Sequence, residues 1–323
     1  MTPQLSVAFA TSLDTPEHIR IAEQLGYTRA WAFDSAAMYA DVWVQLCRAA
    51  DRTERIGLAT GVLVPSLRHP MATASAIATL VDAAGRERVA VGVGSGFTGR
   101  MTLGQRPLPW SKVSEYVTVV KGLLRGEQVT WDGAKIQMMH RPGFSPALPI
   151  EVPFVFGAQG PKGVAAAQAV ADGVYGAPTP VAGFDWSVVL TQGTVLNDGE
   201  DPGTERAIEA AGHAATLLAH AAIEWGLRDL LPNLDEWTAA YADVPADEMH
   251  LALHDGHCTH VSDRDRPFVN GEFLTATETA LDAAGWQHRI AKLVEEGATE
   301  IAYQPAGPDI PRELEAFAAA VRG

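Results

Sequence analysis

A continuous apolar run that ends in glycines occupies residues 88–96, which read Arg88-Val89-Ala90-Val91-Gly92-Val93-Gly94-Ser95-Gly96. Its first seven residues, Arg88–Gly94, have the length and composition of a strand covered on both faces in a parallel sheet. Similar segments recur between amphipathic helical patterns: Leu5–Ala10, Arg29–Asp34, Arg55–Val62, Ile150–Gly157, Gly173–Ala177, Ser187–Leu196 and Glu300–Gln304. Eight such strands separated by helices predict an α/β fold, a (β/α)8 TIM-type barrel with insertions.

The segments between the strands carry helix signals. Thr15 can cap a first helix, with Pro16 at its first position, and Gly26 ends it. Further helices are predicted from Pro70 to about Gly85, over Val113–Leu124, over Thr204–Trp225 and Thr275–Glu296, and from Pro311 onward. We expect residues 1–323 to form a single barrel domain.

Two segments depart from the strand–helix alternation. Residues 125–148 contain Asp132-Gly133, a pair suited to a tight hairpin turn between Glu127–Thr130 and Lys135–Met138. We interpret this segment as a hairpin insertion on the barrel. Residues 249–270 are polar and rich in histidine, and are predicted to form a loop over the rim.

Composition excludes several classes of function. The formal net charge is −15, which argues against nucleic acid or an anionic membrane surface as a partner. No apolar stretch approaches the roughly 20 residues that span a bilayer. The start of the chain lacks the pattern of a signal peptide, and Cys47 and Cys258 show no ligand or redox spacing. We therefore expect a cytoplasmic protein with reduced, buried thiols.

The glycines after the fourth strand include a G-x-G-x-x-G pattern from Gly94 to Gly99. A dinucleotide-binding fingerprint also needs a helix opening at the last glycine and an acidic residue at the end of the next strand. Residues 100–110 show no helical pattern, so that function is excluded. A strand end that lets a flat ligand approach the backbone, or a purely structural turn, remains.

A second candidate site follows the fifth strand at Gly157-Ala158-Gln159-Gly160-Pro161-Lys162. Pro161 stands where a first helical residue is expected, so free N–H groups and the positive end of a helix would face a ligand. Such a loop is suited to a phosphate, and Lys162 adds a positive charge. An ordinary glycine-containing loop is the alternative.

Other polar groups fall at the carboxyl ends of strands, which meet at one rim of a barrel. Asp34 ends the second strand and Thr60-Gly61-Val62 ends the third. Two roles for Asp34 remain open: it lies near a ligand, or it serves as a helix cap or ion-pair partner.

His254-Asp255-Gly256-His257-Cys258-Thr259-His260 contains metal-ligand residue types, but its spacing matches no common zinc pattern. We therefore predict no metal site. A loop that brings His254 or His257 to a substrate is favoured, and histidines without a function are the alternative.

In the order and spacing of these motifs the chain resembles the luciferase-like family of flavin- and deazaflavin-dependent oxidoreductases. The resemblance rests on Thr60-Gly61-Val62, Arg68-His69-Pro70, Gly94-Ser95-Gly96, the segment Leu103–Pro107, and the stretch Ile150–Tyr175. The resemblance runs essentially end to end. Within the family, the chain is similar to the methylenetetrahydromethanopterin reductase-like branch, whose members typically use coenzyme F420.

The resemblance implies a flavin-type ring at the carboxyl rim of the barrel. A bulge in the third strand, often with a non-proline cis peptide, would back the ring at Gly61-Val62, beside Thr60. The ribityl–phosphate tail would lie against Gly94, Ser95 and Gly96 and against Gly157, Ala158, Gln159, Gly160 and Lys162. Asp34 corresponds to a second-strand residue near the ring.

Two positions differ from the sugar-phosphate dehydrogenase branch. Ser35 and Phe97 stand where that branch has a histidine and a glutamate. The first strand also lacks the acidic residue of the pterin reductases. For proton transfer, His254, His257 and Ser35 are the candidate catalytic residues.

We expect an oxidoreductase that transfers a hydride between F420 and an unidentified small-molecule substrate. An FMN-dependent monooxygenase of the same family is the alternative, and a non-catalytic flavin-binding barrel is the alternative of another class. The resemblance implies a homodimer. Trp225, Trp237 and Tyr241 are candidates for a subunit interface or, equally, for the core.

Overall fold

The predicted barrel is present in the computed structural model, which describes residues 3–226 and 233–322. In chain order the strands are β1 (Gln4–Phe9), β2 (Arg29–Ala32), β3 (Gly57–Leu63), β4 (Val89–Gly94), β5 (Val129–Trp131), β6 (Ala134–Ile136), β7 (Phe154–Gly157), β8 (Gly173–Gly176), β9 (Ser187–Gln192), β10 (Thr194–Val195), β11 (Ala280–Leu281) and β12 (Glu300–Gln304). Eight of these described strands close a barrel in the order β1-β12-β9-β8-β7-β4-β3-β2. The predicted fold class is confirmed.

The helices in chain order are α1 (Thr15–Gln24), α2 (Val42–Ala50), α3 (Pro70–Ala84), α4 (Phe97–Met101), α5 (Trp110–Leu124), α6 (Pro161–Val170), α7 (Glu205–Trp225), α8 (Leu234–Ala239), α9 (Met249–Ala252), α10 (Gly271–Ala276), α11 (Ala283–Glu295) and α12 (Ile310–Arg322). Short 3-10 turns occur at Pro65–Leu67, Arg86–Arg88 and Arg266–Phe268. Proline begins α3 and α6, as the sequence predicts.

The Asp-Gly hairpin is also confirmed. β5 and β6 pair antiparallel, with Trp131 opposite Ala134. Between them, Asp132 and Gly133 have φ angles of 48° and 78°, which are the positive values that a two-residue turn of this kind requires.

Several element predictions need correction. Asp14, not Thr15, occupies the N-cap of α1, and the Thr15 hydroxyl instead accepts a hydrogen bond from the Ser12 N–H. The predicted helix Thr275–Glu296 is divided, because Glu278 takes a φ of 53° and residues 280–281 pair as β11. The 249–270 segment is not a continuous loop, since it includes α9 and the turn Arg266–Phe268.

The chain divides into two compact units. The first comprises Met1–Met101, Gln105–Leu190 and Leu293–Ala302, and the second comprises Thr102–Gly104, Thr191–Lys292 and Tyr303–Gly323. No helix within the described residues is both long and apolar enough to cross a membrane. Cys258 is buried and Cys47 is half-buried.

The interior of the first unit is filled by two large side chains, Trp31 and Tyr175, among smaller ones. Trp31 is fully buried and packs with Tyr175 at a ring-centroid distance of 5.1 Å. The other barrel strands contribute mainly small residues to this cluster: Ala8, Ala59, Ala90, Val155, Val188 and Ala302. Bulky aromatic residues on two strands and alanine or valine on the others therefore fill the barrel without overpacking.

A buried carboxylate fixes the indoles of this interior. Glu300 is fully buried, and its two oxygens accept hydrogen bonds from Trp31 Nε1 at 2.7 Å and Trp186 Nε1 at 2.8 Å. The Arg29 guanidinium lies over the Trp186 ring at 4.9 Å. Glu300 therefore joins β12, β2 and the segment before β9.

The second unit has its own core and its own buried carboxylate. Asp265 is 1% exposed and accepts hydrogen bonds from Trp237 Nε1 and the Tyr241 hydroxyl, each at 2.7 Å, from His220 Nε2 at 2.9 Å and from the Ser262 hydroxyl at 2.6 Å. Burial alone would raise its pKa, but these hydrogen bonds, led by that of His220, lower the pKa of Asp265 to about 2.

This core decides between the two roles proposed for the aromatic residues. Trp237 and Tyr241 are 0% and 1% exposed, so they are core residues and an interface role for them is wrong. The side chain of Trp225 lies outside the described residues.

Two histidines of the second unit are held neutral by burial. His213, on α7, is fully buried, and neither ring nitrogen has a hydrogen-bond partner among the described residues. Burial lowers the pKa of His213 to about 3 and that of His257 to about 3.

We predict that Glu300→Gln lowers the free energy of unfolding by about 1–3 kcal/mol. The amide keeps one acceptor oxygen for an indole but presents its NH2 group to the other indole N–H. Denaturant unfolding measures the change, and the exposed Glu296→Gln in the same unit is the control. Equal stability of the two variants would contradict a role for Glu300 in holding the indoles.

We predict that stability falls as the pH falls from about 6.5 toward 3. In this range the unfolded chain protonates His213 and His257, while their folded-state pKa of about 3 keeps them neutral. Each histidine contributes a slope on the order of 1 kcal/mol per pH unit. Denaturant unfolding as a function of pH should show a shallower slope for His213→Leu, and an unchanged slope for the exposed control His140→Leu. A slope unchanged by His213→Leu refutes the assignment.

Candidate active site

A bulge at the carboxyl end of β3 organises this end of the first unit. Thr60 pairs with Val91 of β4, but the next paired residue is Leu63, opposite Val93, so Gly61 and Val62 stand outside the regular register. The peptide bond between them is cis. The bulge and cis peptide expected here from the resemblance are confirmed.

Glycines of the neighbouring strands make room for Val62. A Cβ atom added at Gly94 would lie 2.6 Å from Val62 Cγ2, and one added at Gly157 would lie 3.1 Å from Val62 Cγ1. Val62 therefore occupies the space on the Cβ side of Gly94, while contact of Gly94 with a cofactor stays a prediction. Val62 itself is half-buried, so the bulge presents an apolar side chain over the ends of β4 and β7.

Asp34 lies at the end of β2 and makes an ion pair. Its side chain is 2% exposed, and both carboxylate oxygens accept hydrogen bonds from Arg68 Nη1 at 2.7 Å. The Val64 N–H donates to Asp34 Oδ2 at 3.1 Å. Burial raises the pKa of Asp34, and Arg68 and the Val64 N–H oppose that shift. The ion-pair alternative is confirmed, while contact with a cofactor stays a prediction.

Ser35 and the loop after β4 lie next to Asp34. Ser35 is buried, and its carbonyl accepts from the N–H groups of Met38 and Tyr39 at 2.9 and 3.0 Å. A Cβ on Gly99 would lie 2.9 Å from the Asp34 carbonyl oxygen, so α4 packs closely on the end of β2. This five-residue helix begins at Phe97, before Gly99, and Gly96 precedes it with a φ of 82°.

The loop after β7 has the predicted helix start. Gly160 is the N-cap of α6, with no side-chain cap, and a Cβ there would meet no atom within 4 Å. Gln159 Nε2 donates to the Thr179 carbonyl at 3.3 Å, and the side chain of Lys162 is exposed. The start of α6 therefore has no capping side chain and has open space at Gly160, with the exposed Lys162 in its first turn, which is an arrangement that suits a phosphate.

The two candidate histidines lie in the second unit, whereas Ser35 lies in the first. His254 is 7% exposed, its Nδ1 is 2.7 Å from the His250 carbonyl oxygen, and its ring lies 5.0 Å from that of His257. Burial also lowers the pKa of His254. The catalytic roles of Ser35, His254 and His257 stay predictions. Across residues 3–226 and 233–322, no group of three or more potential ligands is placed to hold a metal ion.

Arg68 is the residue of this site that the sequence left without a role. In the sequence it stands out only as part of Arg68-His69-Pro70, yet its guanidinium donates hydrogen bonds to both Asp34 and Asp41. The two aspartates lie 34 and 27 residues before it in the chain. The available signal was a single arginine in the loop after β3, preceded by one aspartate just after β2 and another at the start of α2.

A closed parallel barrel with a cis bulge at β3 and an open helix start after β7 defines the class of this protein, and comparison with known proteins identifies the family. Residues 9–254 match the family model described as luciferase-like monooxygenase, and the chain belongs to this family. The 5,10-methylenetetrahydromethanopterin reductase of Methanolobus tindarius is 27% identical over 319 residues, covering 92% of each chain. An F420-dependent glucose-6-phosphate dehydrogenase of Beutenbergia cavernae is 37% identical over 134 residues, covering 39% of this chain and 38% of that protein.

Solved structures confirm the fold over the full length. The coenzyme F420-dependent tetrahydromethanopterin reductase of Methanopyrus kandleri superposes with a TM-score of 0.68 at 18% identity, covering 100% of this chain and 99% of that one. An F420-dependent secondary alcohol dehydrogenase gives a TM-score of 0.68 at 21% identity, covering 100% of both.

We predict that Gly94→Ala lowers the free energy of unfolding by about 1–3 kcal/mol, because its Cβ would force Val62 to move. Gly160→Ala is the matched control, since its position is open and its φ of −74° suits alanine. Denaturant unfolding compares the two variants. If Gly94→Ala is as stable as the control, Val62 is not confined as described.

Proposed function

We propose that the protein is an F420-dependent oxidoreductase that transfers a hydride between this deazaflavin and a small organic substrate. The observation that carries the proposal is the half-buried Val62 on the bulge, which lies over the ends of β4 and β7. β7 leads directly into the open first turn of α6. An apolar surface suits a flat ring, and a helix start suits a phosphate. Relatives that include an F420-dependent dehydrogenase and a methylenetetrahydromethanopterin reductase support the same cofactor class.

The residues present fit such a cofactor. Gly61 and Val62 would hold the ring, with Thr60 securing the bulge through a hydrogen bond from its hydroxyl to the Gly92 carbonyl at 2.8 Å. Ser95 and Gly96 would border the linker between ring and phosphate. The segment Gly157–Gly160 and Lys162 would hold the phosphate, since no side chain fills the space at Gly160.

Bound F420 supplies a ring carbon that gives or takes a hydride. The protein contributes orientation of the ring on Val62 and of the substrate above it. Proton transfer to the substrate needs a group within hydrogen-bond reach, and Ser35, His254 and His257 are proposed for that role. Because burial holds the pKa of His257 at about 3, its ring is neutral at pH 7 and is a weak base, so it would serve a substrate better as a hydrogen-bond partner than as a proton acceptor.

The competing proposal is an FMN-dependent monooxygenase, which the description of the family model favours. The two cofactors share a tricyclic ring and a phosphate, so the platform and the helix start suit both. They differ in their reaction with oxygen, because reduced deazaflavin reacts poorly with it. Cofactor preference therefore separates the two functions.

We predict that the cofactor-free protein binds F420 at least tenfold more tightly than FMN, as measured by parallel fluorescence titrations. Lys162→Ala should weaken F420 binding by roughly 3–10-fold at low salt, and by less at high salt, because the lost interaction is a screened charge. Lys135→Ala, an exposed lysine on the β5–β6 hairpin, is the control and should bind as the wild type does.

Each other outcome has a defined meaning. Preference for FMN, followed by oxygen consumption with reduced FMN, would replace the proposal by the monooxygenase. Binding of F420 without turnover of any enone, imine, alcohol or pterin would favour a non-catalytic binding protein. Binding of neither cofactor would refute the proposal.

A further inference from the structure

One carboxylate holds both ends of the connection that leaves the bulge. Val64, directly after β3, donates its N–H to Asp34 Oδ2 at 3.1 Å. Four residues later, Arg68 Nη1 donates to both oxygens of Asp34 at 2.7 Å. The 3-10 turn Pro65–Leu67 lies between these contacts, so Asp34 fastens the whole connection to the end of β2.

Arg68 extends this link to two helices of the first unit. Its Nη2 donates to Asp41 Oδ2 at 2.7 Å, and Asp41 Oδ1 caps α2 by accepting from the Trp43 and Val44 N–H groups at 3.0 and 3.1 Å. The carbonyl oxygen of Arg68 accepts from the Tyr116 hydroxyl of α5 at 3.1 Å. One residue therefore connects β2, α2 and α5 to the chain next to the bulge.

We propose that Asp34 and Arg68 are positioning residues for the ring-binding surface. By holding Val64–Arg68, they keep Val62 in place on Gly94 and Gly157 before a ring binds, so that binding does not have to order the bulge. The identity of the ring rests on the proposed function. The role of Asp34 and Arg68 in fixing the bulge does not depend on it.

The burial of Asp34 gives this role its physical basis. The carboxylate is 2% exposed and is already bonded by Arg68 and Val64, which leaves little room for a ligand. A buried charge needs its partner, and removal of the partner disturbs everything fastened to it. In this proposal Asp34 acts on the ring-binding surface through Arg68 and Val64, whether or not it also contacts the ring.

A matched pair of arginine variants tests the proposal. Arg88, directly before β4, is a buried arginine of the first unit, whereas Arg68 is half-buried. Arg88 donates to the Ile56 and Thr53 carbonyls at 3.0 Å and to the Thr53 hydroxyl at 2.6 Å. Lysine keeps the charge at either position but cannot make two directed bonds with a planar group. Arg68→Lys and Arg88→Lys should both lower stability, but only Arg68→Lys should loosen the bulge.

Two measurements are made on each full-length variant, at a temperature where it is folded. Hydrogen exchange of the cofactor-free protein should be at least tenfold faster in peptides covering residues 60–69 for Arg68→Lys, and unchanged there for Arg88→Lys. The dissociation constant for F420, by fluorescence titration, should rise roughly 10–100-fold for Arg68→Lys and stay within about twofold of wild type for Arg88→Lys.

Equal F420 affinity in the two variants, or unchanged exchange at residues 60–69 in Arg68→Lys, overturns the proposal. If the wild type does not bind F420, the proposed function fails, and the exchange data alone decide whether Arg68 holds the bulge. Should Arg68→Lys not fold, Asp34→Asn, which keeps the side-chain size and weakens the ion pair, replaces it in both measurements.

Discussion

The position of Val62 across the ends of two neighbouring strands is the constraint on which the candidate site depends. The bulge in β3 directs this side chain toward β4 and β7, where glycine at 94 leaves the space for it and glycine at 157 avoids a tight contact. Three consecutive strands of the barrel are therefore coupled at their carboxyl ends. The loops that follow β4 and β7, with α4 and the open start of α6, leave from this coupled edge, so their geometry follows from the packing of one valine.

Three buried carboxylates, each accepting several hydrogen bonds, are a second feature on which the structure depends. Glu300 accepts from two indoles inside the barrel, Asp34 from an arginine and a backbone N–H at the end of β2, and Asp265 from four side chains in the second unit. In each case at least two donors lie more than 20 residues from the carboxylate in the chain. Because a buried charge is costly unless it is fully bonded, such a group tolerates few alternative arrangements. These carboxylates therefore specify geometry more than they add stability.

Local patterns predicted the barrel because apolar runs bounded by glycine and proline are properties of short segments. The eight strands, the Asp132-Gly133 turn and the Pro161 helix start all follow from neighbours in sequence. The division of Thr275–Glu296 did not, since it depends on the pairing of Ala280 with Thr194. The sequence also could not predict the partners of Arg68 or the burial of Trp237 and Tyr241. An aromatic or charged residue has the same local pattern whether it lies in a core, an interface or a site.

The arrangement of tryptophans has a consequence for spectroscopy. Trp31 lies inside the barrel with its indole N–H bonded to Glu300, while Trp237 is bonded to Asp265 and Trp286 to the Thr194 carbonyl in the second unit. All three rings are fully buried. Each unit thus contains native fluorophores in dry, hydrogen-bonded surroundings whose emission shifts when water reaches them. Variants that retain the tryptophans of one unit would report optically on whether the two units lose their structure together or one after the other.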